Sequence, residues 1–387
     1  MKICVVIPSF YPAISYGGPI FSSLNTCKEL SKLSNMEINV STTNVNMGKG
    51  RLNVLINSWV KFGEKFYVKY YNISYSGFSL NLYLNLWRDI KKADIVHVQG
   101  IFNSPTPAAL FYATVFGRSI ILSPRGVLGS WCLEKRSILK KLWLNIFIKP
   151  FALRVMWHAT GESEKAEILS LYPRAKIEVI SNGVFIDEFG KFERLSKKKY
   201  IQKFANCRRE NVDKIIVSMG RLNKKKGFDI LIKAFKQVLS HHRDSYLLIA
   251  GPDETEGKKL FQLISELNLS ENVFLIGTIE NQEKIDFLAN ADLFVLPSHN
   301  ENFGNVYVES LATGTPVVAS LQTPWRHVED YKCGKWVANN IESTCSAMLE
   351  LLGNDRSIMR KNSLEFSRNY DWSVVALKFK NIFNKLL

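Results

Sequence analysis

Glu301 and Glu309 lie eight positions apart in A-D-L-F-V-L-P-S-H-N-E-N-F-G-N-V-Y-V-E-S-L-A-T-G-T-P-V-V-A-S, residues 291–320. Two carboxylates can each accept paired hydrogen bonds from vicinal hydroxyls, as on a ribose or a hexose. The spacing alone is common; its setting is not. An apolar run over 293–296 stops at Pro297, as a buried strand would. A polar loop with Gly304 follows, then a helical stretch to Ala312, a stop at Gly314 and a second strand over 316–319. Strand, loop, helix, strand is a parallel crossover unit, whose ligands sit beyond the carboxyl ends of the strands. Glu301 then stands on the loop and Glu309 in the helix. The amides of Phe303, Gly304 and Asn305 sit at the helix N-terminus, where they can donate to phosphate or sugar oxygens.

A second candidate is Gly220-Arg221-Leu222-Asn223-Lys224-Lys225-Lys226-Gly227, which follows an apolar strand over 215–219. Arg221 and Lys226 flank this loop, one a bidentate fork and the other a point charge, suited to a diphosphate leaving group. Lys224 and Lys225 read as solvated. No Asp-x-Asp occurs in the chain, so no metal is expected; Arg, Lys and helix dipoles must neutralise a diphosphate instead. Near the start, Gly17-Gly18 precedes Pro19 and a helix expected over 20–33, a flexible loop at a positive helix end. A plain turn fits these glycines equally well. His97 ends a strand over 95–98 and is either a packing histidine or a group facing a binding cleft.

The elements that must position these residues alternate. Strands are expected at the N-terminus and over 38–42, 66–73, 95–98, 119–122, 155–159 and 177–180. Helices are expected over 79–92, 106–116, 133–153 and 162–171. After a polar, basic stretch the rhythm resumes, with strands over 215–219, 246–250 and 273–276 and helices over 228–239, 257–267 and 282–289. The fold class is α/β: two tandem Rossmann-like, doubly wound domains facing a cleft. The expected boundaries are a first domain over 1–184, a linker over 185–213 that includes a short helix, and a second domain over 214–371. A last helix over 372–387 packs back on the first domain.

At 387 residues the chain is too long for one ordinary core, and 46% apolar against 22% charged residues is a globular composition. Six scattered cysteines without a C-x-x-C pair argue against a disulfide framework or zinc site and for a reducing compartment. The apolar run over 3–7 is cut off by Pro8, too short for a signal core. The net charge is +16, with +12 in residues 1–184 and +4 in 185–387. The first half is therefore expected to meet something anionic. The segment 134–155 mixes six basic residues with Trp143, Phe147 and Phe151. Such a surface suits anionic lipid headgroups, although a core-facing helix with a solvated basic side has the same pattern. A cytoplasmic protein, peripheral on the inner face of the membrane, is the expectation.

Taken together, the stretch around Glu301 and Glu309 resembles the donor-site signature of glycosyltransferase family 4, retaining enzymes of the GT-B fold. G-R-L-N-K-K-K-G resembles that family's diphosphate-binding segment, V-I-S-N-G-V its domain junction, Gly17-Gly18 its N-terminal glycine loop and D-W-S-V-V its final helix. The resemblance implies a hexosyltransferase-type enzyme without a cofactor that moves a sugar, with retention, from a nucleotide-diphosphate donor to a saccharide acceptor. It implies that Glu309 holds the ribose and Glu301 the sugar hydroxyls, within a donor-binding set of Glu301, Asn302, Phe303, Gly304, Asn305 and Glu309. Arg221 and Lys226 hold the diphosphate, which Gly18 approaches from the first domain. Arg125, in S-P-R-G, replaces a histidine that many members carry near the donor sugar; with His97 it is a candidate sugar or acceptor contact. The basic first half suggests a lipid-linked or cell-envelope acceptor, as in polysaccharide or lipopolysaccharide assembly. A sugar-nucleotide epimerase on the same architecture and a nucleic-acid-binding protein are the alternatives. The charge carries no recognised nucleic-acid motif, so no nucleic-acid partner is expected.

Overall fold

A computed structural model describes residues 1–46, 50–74, 77–134 and 137–387. The chain forms two compact units, Met1–Asn182 with Trp372–Leu387, and Gly183–Asp371. Each is an α/β sheet with its own apolar core.

The first unit holds β1 (Lys2–Ser9), β2 (Glu37–Thr43), β3 (Trp59–Gly63), β4 (Phe66–Tyr71), β5 (Ile95–Gln99), β6 (Ser119–Ser123), β7 (Met156–Ala159) and β8 (Lys176–Val179). Their order is β8-β7-β6-β5-β1-β2-β4-β3. All neighbours pair in parallel except the edge strand β3, which pairs antiparallel with β4. The central strands are buried along their length because helices cover both faces, which is why they read as unbroken apolar runs. β3, W-V-K-F-G, is half-exposed and lacks such a run, so its pattern did not announce a strand. Sheet order reverses between β1 and β5, the switch point where ligands collect in such sheets. The loop with Gly17 and Gly18 leaves β1 there, and Gln99 closes β5.

Helix Trp372–Leu386 belongs to this unit. Ser119 Oγ donates to Leu386 O at 2.7 Å, Lys385 pairs with Glu178 at 3.1 Å, and the Phe379 ring lies 4.8 Å from that of His158. The helix expected over 133–153 ends earlier: Ser137–Trp143 runs into a π-helical turn, Leu144–Ile148, and turns follow. Ser130–Glu134 is also helical, and Lys135 and Arg136 lie outside the described residues.

The second unit holds β9 (Ile215–Met219), β10 (Tyr246–Ala250), β11 (Val273–Gly277), β12 (Leu293–Leu296), β13 (Val317–Ser320) and β14 (Gly334–Val337), all parallel, in the order β11-β10-β9-β12-β13-β14. Its switch point falls between β9 and β12. The loop 220–227 leaves β9 and the loop 297–304 leaves β12, so topology alone sets the two motif loops side by side. Residues 185–213 are not a spacer. Helix Lys197–Ala205, capped by Ser196, buries Tyr200 and Ile201 completely in this unit's core, and Tyr200 OH donates to Phe287 O at 2.9 Å. A short helix here matches expectation; its burial does not, because the surrounding lysines mask the one apolar face formed by residues 200, 201 and 204.

Candidate active site

At the second switch point the loops are locked together. His299 N donates to Lys225 O at 2.8 Å. Gly227 adopts φ +67°, and a Cβ there would fall 2.2 Å from Pro297 O, so only glycine lets the loops approach this closely. Across this seam Lys226 Nζ donates to Glu301 Oε1, which also accepts from Ser298 Oγ at 3.1 Å. Both members of the ion pair are largely buried, with 16% and 11% of their side chains exposed. Gly304, at φ +75°, turns the chain into helix Asn305–Ala312, and a Cβ there would meet the Tyr307 ring at 2.8 Å. Tyr307 OH ties that helix back to Leu296 O at 2.6 Å.

Glu309, in the second turn, receives Lys284 Nζ at 2.9 Å; Lys284 itself lies 5.3 Å from the Phe189 ring centroid. Arg221 is exposed and donates to Glu254 Oε1 at 3.0 Å, while Asn223 Nδ2 donates to the other oxygen at 2.6 Å. Thus Lys226 and Glu301 are joined directly, whereas Glu309 and Arg221 have partners that motif reading missed, Lys284 and Glu254. Asn302 and Asn305 are partly exposed beside them. Phe303 contributes no side chain to a site: it is buried, 5.0 Å from the Trp325 ring, and its carbonyl accepts from Trp325 Nε1 at 2.6 Å.

In the first unit, Gly17 (φ +72°) is the N-cap of helix Gly18–Lys32, which starts two residues before its expected position and has no acidic residue in its first turn. Arg125 occupies the left-handed region at φ +64°. Its Nη2 donates to Gln99 Oε1 at 2.8 Å and its Nη1 to Asn182 Oδ1 at 3.3 Å. Burial pulls this guanidinium below its ordinary value and the Glu164 carboxylate opposes that shift; Arg125 remains a cation.

Of its two readings, His97 takes the packing one. It is 1% exposed and begins a directed hydrogen-bond chain. His158 Nε2 must donate to Ile180 O (2.8 Å), so His158 Nδ1 accepts from Ser123 Oγ (2.7 Å), which in turn accepts from His97 Nε2 (2.8 Å). Burial is the main reason both rings stay neutral: His158 is lowered to about 3, Arg125 adding to the effect, and His97 well below the usual range. The unfolded chain therefore binds protons below pH ~6.5 that the native rings refuse, and stability falls as pH falls. For His158 the expected loss is roughly 2 kcal/mol at pH 5, and His97 shifts stability in the same direction. Melting temperatures from pH 7 to 5 check this: the slope should flatten in His158→Gln, and an unchanged slope would remove the assignment.

Residues 201–369 match the family model for glycosyl transferases group 1. The O-antigen biosynthesis glycosyltransferase WclY of Escherichia coli is 28% identical over 55% of this chain and 57% of its own length. The phosphatidyl-myo-inositol mannosyltransferase of Mycobacterium leprae is 33% identical over 44% of this chain and 46% of its own, and the capsular polysaccharide biosynthesis glycosyltransferase CapM of Staphylococcus aureus 34% over 43% of each. The chain spans about half the length of the curated relatives it matches. The structure of Anabaena HepE in complex with UDP superposes with a TM-score of 0.74 over the whole of both chains at 16% identity. WaaG, a glycosyltransferase involved in lipopolysaccharide biosynthesis, gives 0.68 over 98% of this chain and 99% of its own at 17%. The fold is therefore the tandem Rossmann-like α/β fold of the GT-B class. Within it, the sequence match to glycosyl transferases group 1 falls on the second unit, the one that carries Lys226, Glu301 and Glu309.

Proposed function

We propose that this protein is a retaining, metal-independent glycosyltransferase that takes its sugar from a nucleotide diphosphate. The observation that carries the reading is the Lys226–Glu301 pair at the switch point of the second unit. A donor replaces each partner of that pair with its own group: diphosphate oxygens take the ammonium and sugar hydroxyls take the carboxylate. Arg221, already at the surface, exchanges Glu254 for the same diphosphate, and Glu309 takes the ribose hydroxyls. As the anomeric bond to the diphosphate breaks and the acceptor oxygen takes its place, the acceptor's proton balances the departing charge. Cations placed beforehand stabilise the leaving group without a metal. Retention rests on the family resemblance.

The test is a panel of nucleotide sugars screened for thermal protection, followed by transfer to membrane-extract acceptors with and without added magnesium and EDTA. One nucleotide sugar should protect and be consumed only with acceptor. Donor isomerisation without acceptor would favour an epimerase, and EDTA-sensitive transfer would overturn metal independence.

The acceptor we propose is a saccharide of a cell-envelope glycan, lipid-linked, reached from the inner membrane face. Relatives named for O-antigen and capsule synthesis support this class. So does the helix Ser137–Trp143, where Ile138 is 81% exposed beside exposed Leu139 and Leu142 and the cations Lys140 and Lys141. Among the described residues no helix is long and apolar enough to cross a membrane. Sedimentation with phosphatidylglycerol vesicles should capture the protein at low salt, and Ile138→Glu with Leu142→Glu should release it at least fivefold. Equal capture by neutral vesicles would sink the headgroup assignment.

A further inference from the structure

The second unit carries a cluster of arginines at the end of its sheet opposite the loops that hold Lys226 and Glu301. Arg356 and Arg360 lie one turn apart on the same face of helix Arg356–Ser367. Arg356 pairs with Asp292, just ahead of β12, and its Nη2 donates to Ala291 O at 2.8 Å. Arg360 crosses Gly314, ahead of β13, so closely that a Cβ there would lie 2.7 Å from its Cγ and 3.1 Å from its Cζ. The Arg360 guanidinium also lies 5.2 Å from the Phe192 ring centroid, and Arg194 follows two residues later on that segment. Asp292 and Gly314 precede their strands, whereas the loops 220–227 and 297–304 leave the carboxyl ends. The length of the sheet therefore separates this cluster from the donor loops.

The cations placed here face three unfavourable conditions. Arg360 is half-buried, and burial pulls it below its ordinary value; the charges of Arg194 and Arg356 pull in the same direction, although it remains a cation. Arg356 and Arg360 also stand in the first two turns of a twelve-residue helix, its positive end, with no acidic residue in the first turn. Finally, the neighbouring carboxylates are engaged elsewhere. Asp292 is shared by Arg356, Lys197 at 2.9 Å and Ile215 N at 2.8 Å, and Glu193 faces Lys203 at 3.7 Å. Asp355, the N-cap, takes Ser357 N and Ser357 Oγ, each at 2.7 Å. The carboxyl end of helix Asn305–Ala312 favours a cation, but its carbonyls accept from the amides of Thr313, Gly314 and Thr315. Among the described residues, neither Arg194 nor Arg360 has a hydrogen-bonding or ion-pairing partner for its side chain. A guanidinium carries five donors and no acceptor, and its planar fork matches the oxygens of a phosphate.

We propose that Arg194 and Arg360 form a second oxyanion site, for inorganic phosphate or a soluble phosphomonoester, backed by the positive end of helix Arg356–Ser367. The inference goes beyond the glycosyltransferase reading and does not depend on it. Held against Gly314 and Phe192, Arg360 is accessible to a small anion more readily than to the plane of a bilayer, which is why the ligand assigned is a soluble one.

The experiment is thermal unfolding of the full chain with inorganic phosphate, glycerol 3-phosphate or sodium chloride at matched ionic strength. About 10 mM of either phosphate compound should raise the Tm by about 3 °C, as a dissociation constant on the order of 1 mM implies. Arg360→Met keeps the aliphatic stem over Gly314. It should abolish the shift and, without phosphate, melt no lower than wild type, because it removes a cation without breaking a pair. A guanidinium that only packs there would make Arg360→Met melt lower and leave its phosphate shift intact, which overturns the site. Lys226→Ala should keep the full shift. A shift lost in Lys226→Ala and kept in Arg360→Met places the phosphate on the donor loop and overturns the inference. No shift in the wild type, or equal protection by sodium chloride, overturns it as well. Capture by phosphatidate vesicles that Arg360→Met abolishes, without protection by glycerol 3-phosphate, overturns the assignment to a soluble ligand.

Discussion

Glu309→Ala is expected to lower kcat/KM for transfer by roughly 10²–10⁴, because a carboxylate holding two hydroxyls contributes two charge-assisted hydrogen bonds of about 1.5–3 kcal/mol each. The fold should be almost indifferent. The Glu309–Lys284 pair is half-screened, with 18% and 25% of the side chains exposed, so its loss should cost about 1 kcal/mol or less. Lys284 makes the experiment sharper. If it acts by holding Glu309 in place, Lys284→Ala should raise KM about tenfold, and the double variant should be no worse than Glu309→Ala alone. If Lys284 binds donor phosphate itself, the two losses should add. Glu309→Ala at within threefold of wild type would show that the ribose is held elsewhere.

That experiment depends on a partnership the sequence does not display. Glu301, Glu309, Arg221 and Lys226 are legible because each lies in a loop or first helical turns directly after an apolar run, and the end of a buried parallel strand is a local signal. Lys284 lies on helix Asn281–Ala289, in N-Q-E-K-I-D-F, which reads as an ordinary solvated helix face. Only the sheet order, which returns β12 to the side of β9, brings that helix against Asn305–Ala312. Glu254 reaches Arg221 for the same reason, because β10 is the other neighbour of β9. Gln99 had a local sign, a polar residue that ends β5 just before Gly100, but its hydrogen bonding depends on Arg125 arriving from the end of β6.

His97 shows why a local reading leaves two alternatives open. Its position at a strand end resembles that of a functional residue. Yet Phe379, from a helix 282 positions away in sequence, packs 5.7 Å from its ring and helps close it off. The linker expectation failed at 185–213 through charge density: lysines dominate the helix Lys197–Ala205, while three residues on one face carry its burial. Strand existence and loop motifs are local properties; burial and ion-pair partners are settled by topology.

Lys226→Ala should be the most damaging single change, lowering kcat by about 10²–10⁴, as expected when a preorganised cation is taken from a developing diphosphate charge. The same substitution strands Glu301, whose carboxylate is 11% exposed and keeps Ser298 Oγ as a neutral donor. Two effects are therefore superimposed, and Glu301→Gln separates them. If Lys226 matters chiefly by positioning Glu301, then Glu301→Gln and Lys226→Ala should be equally impaired and the double variant no worse. If Lys226 meets the diphosphate, Lys226→Ala should also weaken binding of the free nucleoside diphosphate at least tenfold, whereas Glu301→Gln should not. Lys226→Arg should fail to rescue. The Lys226 stem crosses Gly220 so closely that a Cβ there would lie 3.1 Å from Lys226 Cε, a path with little room for a planar guanidinium. Lys224, exposed on the same loop, is the control against a merely basic surface, and Lys224→Ala should stay within twofold of wild type. Equal losses at Lys224 and Lys226 would mean that the loop attracts the donor by its overall charge, and the side-by-side arrangement of the β9 and β12 loops would then have no special part in the chemistry.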